Sequence, residues 1–213
     1  MLLRDAAPLL AVAFVCSTIE AALWLADMGW IGSTRWRTAA LAYTAFWPGL
    51  LHGWVPNYPG QSVAMFFTYS WLHSGPSHLL GNMAVLVWIG LMVVERLGRA
   101  GFLLAWTLSA LGGAAIFGLL STSPSPMVGA SGALFGLMGV MVALNYRADR
   151  NLGRALLMSG GLVVLNMVTL VLQGGVLAWQ THLGGYLTGL AMIALFGDRL
   201  TARRDHKNAT YIQ

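Results

Sequence analysis

The chain has 213 residues, of which 57% are hydrophobic and 9% charged. That balance excludes an ordinary soluble domain and points to burial in a lipid bilayer. The net charge of +5 gathers in tails and short turns rather than on a basic face, which argues against nucleic acid as a partner.

Six apolar stretches are long enough, or nearly so, to span a membrane: about 8–28, 78–94, 100–120, 130–146, 154–173 and 182–198. The expected architecture is therefore an all-α membrane protein, one compact six-helix domain over residues 1–213, with 203–213 as a trailing tail. The first stretch carries Glu20 and lacks a small-residue cleavage pattern, so it reads as a span rather than a signal peptide. Cys16 lies within it, alone, as an apolar packing residue. Arg4, Arg96, Arg99, Arg147, Arg150, Arg154, Arg199, Arg203, Arg204 and Lys207 fall in the tails and even-numbered turns. By the positive-inside rule both termini are cytoplasmic. Arg35 and Arg37 fall on the other side, in the first loop.

That loop, residues 30–77, is long and aromatic. It holds Trp30, Trp36, Trp47, Trp54 and Trp71, with Tyr43, Tyr58 and Tyr69. Amphipathic rings favour the headgroup level, so the loop is expected to lie in the outer interface. Pro48, Pro56 and Pro59 forbid one continuous helix through it.

The second stretch opens with His73-Ser-Gly-Pro-Ser-His78 and continues to Asn82. His78 and Asn82 are four residues apart and share a helix face. They suit either an oxyanion hole or an interhelical hydrogen bond. His73 reads as a loop-holding residue.

Residues 121–129, Ser-Thr-Ser-Pro-Ser-Pro-Met-Val-Gly, cannot form a regular helix. Irregular backbone at membrane depth requires a protein-lined or hydrated setting, so a wet cavity is expected above Ser131. Ser131 would start the fourth helix, where unpaired N–H groups favour developing negative charge. Gly129 and Gly132 permit a sharp turn and close approach. The bland reading of Gly132 and Gly136 is a small-residue packing face.

The fifth stretch, 154–173, is apolar and includes Gly160-Gly161. The sixth opens with His182 and continues through Gly184, Gly185 and Gly189. Gly185-x-x-x-Gly189 permits tight contact with the fourth helix. His182 is then either a general base within reach of Ser131 or an interfacial cap.

Ser131, His182 and His78 each lie about 16–17 residues from the charges that close their stretches, Arg147, Arg199 and Glu95-Arg96. At ~1.5 Å per residue this is roughly 25 Å, against a hydrocarbon core of about 30 Å. All three fall at one depth, where polar groups are costly and suggest chemistry. No acid has a route to His182, so a Ser–His dyad is the economical expectation. No cysteine cluster or His-Glu-x-x-His pattern offers a metal site, and no cofactor is expected.

Together these motifs resemble the rhomboid family of intramembrane serine proteases. The resemblance rests on His73-x₄-His78-x₃-Asn82, on Gly129-Ala-Ser131-Gly132, on His182-x₂-Gly185-x₃-Gly189 and on Val-Val-Glu-Arg-Leu-Gly at 93–98. It covers about residues 66–196. It implies Ser131 as nucleophile, His182 as base, and an oxyanion hole from His78, Asn82 and the Ser131 backbone N–H. It also implies membrane-anchored protein substrates with a locally weak transmembrane helix, a bacterial inner-membrane location, and lateral entry near Gly160-Gly161 and 174–181. Phe135 stands where rhomboids often carry Tyr. The family's Trp-Arg pair is not in its usual place, where Met65-Phe66 stand, and Trp36-Arg37 is given no role. The rival expectation is a catalytically silent rhomboid-like protein that binds transmembrane helices.

Overall fold

A computed structural model describes the backbone of residues 5–172 and 178–210, with side chains placed for 5–171 and 178–200. Helix α1, Ala7–Asp27, begins with a proline in its first turn, where the missing N–H costs nothing. Two short helices follow in the first loop, α2 (Trp36–Thr44) and α3 (Gln61–Thr68), with 3₁₀ turns at Pro48–Leu51 and Tyr69–Trp71. The prolines at 48, 56 and 59 thus divide the loop into short elements.

Helix α4, Pro76–Leu120, is interrupted at Gly98, whose backbone is non-helical. Its two limbs correspond to the second and third apolar stretches, joined by a kink rather than a loop. Helix α5 is Ser131–Asp149, α6 is Leu152–Leu172 and α7 is Trp179–Thr210. Residues 203–210 stay helical as the end of α7, which corrects the expectation of a trailing tail there. A run of helix-forming residues on an established helix continues at little cost, because propagation is easier than nucleation.

Helix α5 is the centre of the bundle. Gly132 through Val142 are almost all buried, packed against α4 and α7. A core of Leu86, Val93, Phe102, Ala133, Leu134, Leu137, Met141 and Ile193 joins these three helices. Helix α1 packs against α4, burying Leu9, Val12 and Cys16. Helix α6 lies at the edge and exposes Leu156, Leu157, Val163, Val164, Val168 and Val171. Apolar residues so fully exposed need a lipid solvent, because water would penalise such a surface.

Among the described residues, three helices are long and apolar enough to cross a membrane: Ala7–Asp27, Pro76–Leu120 and Leu152–Val171. At ~1.5 Å per residue the 45 residues of α4 extend roughly 68 Å along their path, more than twice a hydrocarbon core of about 30 Å. Helix α5 is sheltered from lipid by its neighbours, so it can afford more glycine and polar residues. The protein is an integral membrane protein.

The first loop is folded onto the bundle rather than strung between spans. Phe46, Met65, Tyr69, Phe117 and Met127 form one apolar cluster, and Leu23, Ala45 and Leu72 another. Phe46 and Met127 exchange backbone hydrogen bonds of 3.0 and 2.9 Å. This single β-bridge ties the loop to the segment just before Ser131.

Candidate active site

Ser131 is the first residue of α5, and its position is set by the turn before it. Gly129 has φ +123°, and a β-carbon there would press against the His78 ring. Only glycine meets both conditions. The Gly129 N–H donates to the Tyr69 carbonyl at 3.1 Å, and the buried Tyr69 hydroxyl donates to the Ala110 carbonyl at 2.8 Å. The turn is therefore fixed to both the first loop and α4. The first-turn N–H groups of α5 have no intrahelical acceptor, which leaves positive potential at Ser131.

His182 reaches Ser131 because α5 and α7 approach to backbone contact. A β-carbon on Gly185 would collide with the Gly132 carbonyl oxygen, and one on Gly189 with that of Gly136. With the helices this close, His182 Nε2 lies 2.8 Å from Ser131 Oγ. The imidazole is buried, and Phe135 stacks on its face with centroids 4.2 Å apart and planes 6° from parallel.

The other ring nitrogen, Nδ1, lies 2.6 Å from Oδ1 of Asn166 on α6. If Nε2 accepts the serine proton, Nδ1 must carry hydrogen and donate to that amide oxygen. Sequence reasoning singled out no partner for this nitrogen. The available signal was a lone asparagine within an apolar span, itself unusual.

His78 and Asn82 occupy one face of α4 over Gly129. The Ser74 backbone N–H lies 3.4 Å from His78 Nδ1, and its hydroxyl 2.9 Å away. A backbone N–H can only donate, so Nδ1 accepts and Nε2 carries the proton. Asn82 Nδ2 is buried and has no hydrogen-bond partner among the described residues. His78 Nε2 and Asn82 Nδ2 thus both face the Gly129 turn, the second with no acceptor among the described residues.

Ser131, His182, His78, Asn82 and Phe135 all line one cavity of about 770 Å³. Further lining comes from residues 126–128 and from Leu165 and Thr169 of α6. At about 30 Å³ per water it has room for on the order of 20 waters. A nucleophile, a base, unpaired donors and space for water are the parts that acyl transfer requires.

His73 does not line this cavity. It is buried beside the site, edge-on to the His78 ring at 5.2 Å. Its carbonyl accepts a hydrogen bond from Arg37 Nη1 at 3.1 Å. Gly132, Gly185 and Gly189 serve the helix contact, and Gly129 the turn. Gly160 and Gly161 face open space on α6. Residues 174–177 of the expected cap at 174–181 lie outside the described residues. Among the described residues, no group of histidine, cysteine and carboxylate side chains could hold a metal ion.

A family model described as the Rhomboid domain matches residues 60–199. The chain belongs to the rhomboid family. It is 33% identical to Rhomboid-like protein 1 of Arabidopsis thaliana over 139 residues, covering 64% of this chain and 35% of that protein. It is 29% identical to Rhomboid-like protease 3 of Toxoplasma gondii over 155 residues, covering 69% of this chain and 57% of the relative. Inactive Rhomboid-like protein 8 of Arabidopsis thaliana is 28% identical over 90 residues, 42% of this chain and 25% of that one. The aligned part is between a quarter and a little over half of each relative's length. The rhomboid match contains every cavity-lining residue named above, and Asn166 behind His182 as well. It begins well after Trp36-Arg37.

Proposed function

We propose that this rhomboid is an intramembrane serine endopeptidase working through a Ser131–His182 dyad. The observation that carries the reading is the 2.8 Å approach of Ser131 Oγ to His182 Nε2 at the wall of a cavity large enough for water.

In the first step Ser131 Oγ attacks the scissile carbonyl carbon while its proton passes to His182 Nε2. The carbonyl π electrons move onto oxygen. That oxyanion lies where His78 Nε2–H, Asn82 Nδ2–H and the Ser131 backbone N–H can donate to it. One such donor is typically worth about 10²–10³ in turnover. His182 then gives its proton to the leaving amide nitrogen, the C–N bond breaks, and an acyl ester remains on Ser131. Water from the cavity attacks the ester as His182 takes its proton. Collapse returns the electron pair and the proton held by His182 to Ser131 Oγ and releases a carboxylic acid, which ionises in the cavity water. Phe135 holds the imidazole plane by stacking on its face and leaves Nε2 open to exchange protons with Ser131.

The substrate on this reading is a membrane-anchored protein whose transmembrane helix is weak near one end. A regular helix hides its amides in internal hydrogen bonds, and hydrolysis needs one amide exposed to water. On this reading the chain makes six passages, with the limbs of α4 counted as two, and both termini are cytoplasmic, as the positive-inside rule favours. The setting is a bacterial inner membrane, and substrate enters beside α6. A silent helix-binding protein is the second reading, kept because one relative is named inactive. An intact serine–histidine pair weighs against it.

The test uses a reporter with one transmembrane helix carrying Gly and Pro near its outer end, incubated with the solubilised full chain. Ser131→Ala and His182→Ala should each abolish cleavage while the protein remains folded. Normal cleavage by both variants would sink the proposal.

A further inference from the structure

We infer that Asn166 is a positioning residue for His182, holding its Nδ1–H so that Nε2 faces Ser131. The inference rests on the dyad reading above and adds to it a third member from a different helix.

The geometry is specific. Asn166 Oδ1 lies 2.6 Å from Nδ1, on the ring edge opposite the 2.8 Å contact to Ser131. Phe135 covers one face of the same ring. The imidazole is therefore held at both nitrogens and on a face. Without the amide oxygen, Nδ1–H would be a buried donor with nothing to receive it, which is unfavourable. The other tautomer would place a proton on Nε2 and leave His182 unable to accept one from serine.

Asn166 also needs an explanation in its own right. It is buried on a helix whose neighbours Val163, Val164, Leu165, Met167 and Val168 are exposed. A polar side chain in an apolar span is expensive unless it is paired. Seven residues earlier, two helical turns along the same face, Ser159 Oγ meets the Tyr186 hydroxyl at 2.6 Å. Tyr186 is one turn beyond His182 on α7. Helix α6 thus presents two polar groups in register to α7, and the upper one meets the catalytic base. A neutral amide does this without placing a charge in the membrane. Because Asn166 belongs to the least enclosed helix, His182 has its Nδ1 acceptor only while α6 is seated.

The experiment compares Asn166→Leu and Asn166→Asp in the solubilised full chain, with the same single-helix reporter and with Ser131→Ala in parallel. Leucine removes the acceptor, and aspartate keeps an acceptor oxygen at the same position. We expect Asn166→Leu to lower kcat by roughly 10²-fold, less than loss of the acid from a Ser–His–Asp triad. KM should stay within about twofold, as for an interaction made in the chemical step. Asn166→Asp should recover most of the lost turnover. If the leucine variant does not fold, Asn166→Ala replaces it in the same comparison.

Unchanged kcat in the leucine or alanine variant, with Ser131→Ala inactive, overturns the positioning role and leaves the dyad standing. Equal losses in the non-accepting and aspartate variants, or a change confined to KM, also overturn it. Cleavage surviving in Ser131→Ala would instead remove the dyad reading on which the inference rests.

Discussion

Arg37 Nη2 on α2 lies 2.7 Å from Glu20 Oε1 on α1, and Nη1 lies 3.0 Å from the second oxygen of the same carboxylate. Its Nε lies 2.6 Å from Asp27 Oδ2. One guanidinium thereby joins α1, the first loop and, through the His73 carbonyl, the segment leading into α4. The hydrogen bonds to Glu20 raise the Arg37 pKa further, against the opposing effect of burial. Removing one partner of a buried pair leaves an uncompensated charge, at a cost of about 3–5 kcal/mol. Arg37→Ala should fall at the lower end, because its side chain is 18% exposed. Thermal unfolding of the solubilised protein measures this. The double variant Arg37→Met/Glu20→Leu should lose less than the two single losses summed, because the variants share one interaction.

The turn at Gly129 gives a second prediction. Gly129→Ala meets both an unfavourable φ of +123° and the His78 ring. Backbone strain of this kind costs about 1–3 kcal/mol. Displacement of His78 should add a catalytic loss of about 10²-fold, the scale of one oxyanion donor. Cleavage kinetics measured alongside unfolding separate the two effects. Turnover should fall much further than stability explains.

His73 sets a pH dependence of stability. Burial, aided by the nearby His78, pushes its imidazole from the ordinary 6.5 down to about 4. The His78 ring stands 5.2 Å away and Arg37 is bound to its carbonyl, so a second positive charge is unwelcome there. A depressed pKa means that the folded state prefers the neutral ring. Its contribution is complete above about pH 6.5 and is lost as pH falls toward about 4. His73→Gln, neutral throughout, should show a smaller drop in unfolding temperature between pH 7 and pH 4.5 than the parent protein.

Much of the site could be read from residue type and spacing. His78 and Asn82 share a face because they are one helical turn apart. Gly185 and Gly189 announce a close helix contact by the same arithmetic. Other features depend on distance in space, which no local pattern carries. Asn166 is sixteen residues before His182, on the preceding helix, and only the packing of the two helices brings it to Nδ1. Trp36-Arg37 had no role in the sequence, because Glu20 and His73 lie on other elements. Gly132, Gly136 and Gly139 lower the hydropathy of α5, and the close packing against α7 that they allow is a tertiary property. The extension of α7 to Thr210 is not legible in the sequence, because charged residues there look like a solvated tail.

The most direct measurement is covalent labelling of the solubilised full chain by a fluorophosphonate, with the adduct located by peptide mass spectrometry. An activated serine beside a neutral histidine should carry the adduct at Ser131, and the adduct should vanish in His182→Ala. Labelling that falls elsewhere, or that persists at residue 131 without the imidazole, would contradict the pairing of these two side chains.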